Sequence, residues 1–186
     1  MMMKMKQIFL FSFLLLMLTG ACNGLEMNDV DLQSDEQAAQ YVDELMQSFR
    51  DGTLSDFKCP DVRWQHIPRL LEYGKATEII SDVRIPSNPI SSFMLLECSE
   101  GMFALWMVEA ARIYTLNPLE SVLDRWPSQN PFVQSFDEDG NIVWFVNNPT
   151  VQQEVLDAYV SWWKTSEGKK SAADKDPLEK TIYMWH

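Results

Sequence analysis

The sequence predicts a mainly α-helical domain of short helices with one β-hairpin, and three observations carry that expectation. Apolar residues recur at helical spacing in two amphipathic stretches, 38–49 and 151–163. Between them the run Met102-Phe103-Ala104-Leu105-Trp106-Met107-Val108 is hydrophobic on every side, the pattern of a helix surrounded by other helices. Asp139-Gly140 sits between β-forming residues, which is a hairpin signal. Short helices punctuated by Pro and Gly around an all-apolar centre suggest HEAT-like helix pairs, although no repeat period accompanies them.

The chain opens with a different kind of segment. Lys4 and Lys6 precede an eleven-residue run, Ile8 to Leu18, whose only polar member is Ser12, and Thr19, Gly20, Ala21 and Cys22 follow. A spanning helix needs about 20 apolar residues, and this run is too short. Small residues directly before a cysteine make the segment resemble the lipobox of bacterial lipoproteins. The resemblance covers the first 22 residues and implies removal of residues 1–21, a diacylglyceryl group on the Cys22 sulfur and usually a further acyl chain on its amine. Two or more chains anchor stably where one is marginal. The expected organisation is thus a signal peptide over 1–21, a lipidated tether over 22–33, and a single domain over 34–186 on the periplasmic or surface face of a bacterial cell envelope.

Within the domain, Ser34 followed by Gln37 reads as a capping box. Ala38, Ala39, Val42, Leu45, Met46 and Phe49 then form one helical face that Asp51-Gly52 ends. A second helical segment is expected from Cys59-Pro60-Asp61 to Gly74, with Pro68 starting a new helix or kinking this one. Residues 75–90 read as irregular with some extended structure over Ile79-Ile80-Ser81-Asp82-Val83. Met94 to Tyr114 is the apolar centre, and Leu119 to Trp126 is a further short helix. After the hairpin, Asn148-Pro149 cap and open a long helix to about Thr165. Ser166 to Asp176 is charged and reads as flexible, and the aromatic end Ile182-Tyr183-Met184-Trp185-His186 is expected to dock.

Composition narrows the function classes. The formal charge is −12, and it becomes −14 without the two lysines of residues 1–21. No Lys/Arg cluster survives beyond the signal, so nucleic acid is not an expected partner. Seven glycines are few, and neither a P-loop nor a G-x-G-x-x-G is present, so nucleotide cofactors are not expected. Asp137-Glu138-Asp139-Gly140-Asn141 fails the calcium-loop spacing, because glycine comes fourth rather than sixth and Asn148 stands where a bidentate glutamate is needed. No metal site is expected.

Three candidate features remain. Cys59 and Cys98 could pair in an oxidising compartment, closing a loop worth roughly 4 kcal/mol; two buried thiols, or a metal site with His66, are the alternatives. Glu109 and Arg112, the only charged residues of the central helix beyond Gly101, are spaced to pair on one face. They read either as a structural ion pair or as a carboxylate of raised pKa facing a cleft. Trp162 and Trp163, with Trp126, Trp144 and Trp185, could supply flat faces for sugar rings or a partner protein; the adjacent pair points about 100° apart, so either both are packed in the core, which is the default, or one is a binding face. The histidine and serine inventory matches no nucleophilic family. The expected function is therefore non-catalytic: a protein-interaction module of the envelope, in one version an immunity-type lipoprotein that neutralises a toxin. A carbohydrate-binding accessory lipoprotein resting on the tryptophans is the second reading, and an enzyme using Glu109 the third.

Overall fold

The computed structural model describes residues 35–54, 58–81, 97–118 and 126–186. The signal segment, Cys22, the Ser34 cap and most of the expected helix at 119–126 lie outside the described residues.

Helix α1, Asp35–Arg50, begins with Asp35 and Glu36, whose charges complement the helix dipole, and buries Ala38, Val42, Leu45, Met46 and Phe49 at the expected spacing. No helix opens at Cys59. A 3-10 turn at Trp64–His66 leads into α2, Ile67–Tyr73, with Pro68 in its first turn, where a missing N–H leaves no helical bond unmade. Pro68 therefore starts the helix rather than kinking it.

Strands β1 (Ile79–Ser81) and β2 (Glu97–Ser99) form a small antiparallel sheet with Ile80 opposite Cys98. Ser99 then caps helix α3, Glu100–Leu116, its hydroxyl accepting from the Met102 N–H at 3.2 Å. Every residue of α3 from Glu100 to Ala111 is buried. Each large apolar side chain so enclosed, such as Phe103 and Trp106, contributes about 1.5–3 kcal/mol of transfer free energy. Phe49 of α1 stacks on Phe103 with ring centres 3.9 Å apart.

The hairpin is formed by β3, Val133–Phe136, and β4, Ile142–Phe145, with Gly140 at φ 81° in the turn. Helix α4, Pro149–Thr165, follows; the Asn148 side chain accepts from the N–H groups of Thr150 and Val151. The aromatic end returns as β5, Met184–Trp185, which pairs antiparallel with Val133 and Gln134 and makes a three-stranded sheet of order β4-β3-β5.

These strands correct the expected fold class. With four helices and two small antiparallel sheets, 50% helix and 13% strand among the described residues, the domain is mixed α/β rather than mainly α. The helices are not HEAT-like pairs in succession, since α3 packs against α1, α2 and α4 together. The missed strands are two or three residues long, too short for period-2 alternation to register. The segment read as flexible is also held: Ala172 and Ala173 are buried beside a 3-10 turn at Lys170–Ala172, and their carbonyls accept from Trp162 Nε1 and Arg112 Nη1.

Among the described residues, no helix is long and apolar enough to cross a membrane.

Candidate functional site

Glu109 and Arg112 do pair. Helical spacing sets them one turn apart on α3, and the guanidinium fork donates from Nε to Oε2 at 2.9 Å and from Nη2 to Oε1 at 2.6 Å. Arg112 Nη1 also donates to the Ala173 carbonyl at 2.8 Å. The Tyr159 hydroxyl of α4 donates to Glu109 Oε2 at 2.8 Å and accepts from Trp185 Nε1 at 2.8 Å. Burial pulls the Arg112 pKa down, but its bonds and charge attraction to Glu109 outweigh that, so the net shift is upward. Tyr159 is driven well above its ordinary range, first by burial and then by the Glu109 charge, and so remains a hydroxyl donor.

Both carboxylate oxygens are engaged, and the Glu109 side chain is 8% exposed. A general acid or base needs a proton path to a substrate, whereas this group clamps α3, α4, the 170s turn and β5 together. The chemistry it supports is positioning.

The cysteines are not brought together. Both are buried free thiols: Cys59 near Asp61, and Cys98 donating weakly to the Ser99 and Pro131 carbonyls. Burial raises the Cys59 pKa to about 12 and pushes Cys98 higher still, so neither is a thiolate near neutrality. His66 is buried, stacks on Tyr41 and accepts the Arg63 N–H on Nδ1. No group of three or more His, Cys, Asp or Glu among the described residues is placed to hold a metal.

Trp162 is buried and donates to the Ala172 carbonyl; Trp163 is half-buried against Trp64 and Gly168.

An exposed apolar surface lies elsewhere. Cross-strand register sets Phe136 opposite Ile142, and Gln134 between Trp144 and Met184, so these five side chains share one face of the three-stranded sheet. Phe136 is 54% exposed, Ile142 53%, Trp144 47% and Met184 43%, and nearby Ile182 reaches 69%. The other face carries Val133, Ser135, Phe145 and Trp185 toward the core. Trp144 is steadied edge-on by His186, which stacks on Phe132. Of the outer-face residues only Trp144 is among the sequence candidates, as one of five tryptophans able to offer a flat face. The available signal was Ile142-Val143-Trp144-Phe145-Val146, a strand apolar on both faces, where an antiparallel sheet with a wet side alternates.

Residues 33–186 match a protein family described as a domain of unknown function, DUF4943. The chain belongs to that family. No curated protein and no solved structure matches it. The DUF4943 match spans every described element, so the outer face and the clamped Glu109 network both belong to the family domain.

Proposed function

We propose that this DUF4943 chain is a non-catalytic, lipid-anchored module of the bacterial cell envelope that binds another protein through the outer face of its β4-β3-β5 sheet. The observation that carries the reading is the exposed row Phe136, Ile142, Trp144 and Met184. Scattered surface hydrophobics are ordinary, but a contiguous row on one sheet face is the pattern of an interaction site. Three acids, Asp137, Glu138 and Asp139, rim the hairpin end, and the chain carries −12 overall, so the charge favours a basic partner. Lipid on Cys22 would present this face at a membrane. Toxin neutralisation of the immunity type is one form of this role, in which the partner is an incoming basic protein.

Glycan binding remains a second reading through Trp144, a partly exposed indole held by His186 rather than the Trp162–Trp163 pair. The two separate by salt: protein capture from envelope extract by the full chain should fall as ionic strength rises and disappear in Trp144→Ser. Capture that ignores salt and follows free sugar would favour the glycan.

A further inference from the structure

Resting on that reading, we infer that the outer face selects an extended segment bearing Lys or Arg, with Gln134 as its specificity-determining contact. Gln134 stands at the centre of the face, between Trp144 and Met184. Its side-chain oxygen is shielded from water and has no hydrogen-bond partner. The contrast within the same fold is sharp: Gln152 donates to the Gly74 and Ala76 carbonyls and accepts from Ser99 Oγ. Buried acceptors are rarely left unmet, and an unmet one opposes folding.

A donor from outside would satisfy it. Gln134 as a residue is only half-buried, and its terminal amide torsion is soft, so the amide can turn its oxygen toward an arriving donor, its NH2 group taking the inner place in exchange. The surroundings favour a cationic donor. From Val133 to Val146 the chain carries three acids and no base. Asp137 spends its carboxylate on the turn, accepting from the Asp139 and Asn141 N–H groups, while Glu138 and Asp139 stand exposed beside it. A Lys or Arg reaching Gln134 would also lie near the Trp144 ring, where cation–π attraction adds to the hydrogen bond. Alternate apolar side chains of the same segment would pack on Phe136 and Ile142. A second copy of this chain brings the same acidic hairpin and is repelled.

The test uses arrays of short synthetic peptides alternating valine with lysine or arginine, serine, or glutamate, probed with the full chain in non-ionic detergent. Basic peptides should bind about tenfold more tightly than serine peptides, and glutamate peptides least. Trp144→Ser should weaken all of them. Gln134→Leu should erase most of the advantage of basic peptides while raising the melting temperature, a combination that a purely structural role for Gln134 would not give. Trp144-dependent binding without any charge preference, or a Gln134→Leu variant that keeps the full preference, would overturn this inference and leave the interaction module standing. No Trp144-dependent binding by any peptide would overturn both.

Discussion

The two faces of the three-stranded sheet are built from alternate residues of the same strands, yet they solve opposite problems. On the inner face Trp185 hands its N–H to Tyr159, Tyr159 to Glu109, and Glu109 holds Arg112, so the polar groups of this relay are matched. On the outer face large apolar side chains meet water and the one central polar group, Gln134, lacks a partner. Matching belongs to folding. Mismatch that folding does not require points to something outside the molecule, and it is why the outer face, rather than the more conspicuous charge pair, is the candidate site.

Breaking the inner network should have the largest effect. Glu109→Ala leaves the Arg112 charge buried without its carboxylate and should cost about 3–5 kcal/mol in urea unfolding. The second buried polar joint should be nearly as sensitive. A Cβ on Gly101 would sit 2.6 Å from the Ala76 and Gly74 carbonyls and 2.2 Å from Gln152 Nε2, so Gly101→Ala should destabilise by about 1–3 kcal/mol. Trp185→Phe, which keeps an aromatic side chain but removes the donor to Tyr159 and part of the packing, should cost at least about 1 kcal/mol and loosen β5 in amide hydrogen exchange.

Protons should act on the buried side as well. Burial holds the His66 pKa below its unfolded value, so the unfolded chain binds more protons in that interval. The contribution is fully present above about pH 6.5 and is lost as pH falls from there toward the folded pKa. His186 shifts in the same direction for the same reason. Stability measured from pH 8 downward should start to decline near 6.5, and His66→Gln, though less stable at pH 8, should show a shallower decline. The smallest effect on folding should come from the outer face: Trp144→Ser should alter stability by less than about 1 kcal/mol.

Much of this was legible in the sequence, and the part that was not has a physical explanation. Helices α1, α3 and α4 announce themselves because 3.6-residue periodicity, or its absence in an all-apolar run, persists over four turns. Asn148 and Asp139-Gly140 mark a cap and a turn by local chemistry. The Glu109–Arg112 pair follows from helical spacing alone. The partner strands β2 and β5 do not, since two or three residues carry no period and their pairing joins distant parts of the chain. Trp162 and Trp163 read first as core packing and only second as a binding surface, and Trp64 from a distant segment, with Ala172 and Gly168 just downstream, packs against them. Trp144 stands among the same candidate tryptophans, but the sequence does not rank it above the others, because which side of β4 faces water is decided by the sheet's packing on the core.

The most direct test is photo-crosslinking in cells producing the full chain, with a photoreactive side chain at Phe136 on the outer face or, for comparison, at Gln40 on the exposed side of α1. The account predicts a discrete protein adduct from position 136, weakened at higher salt, and none from position 40. An adduct from position 40 with nothing at 136 would place recognition elsewhere and contradict it.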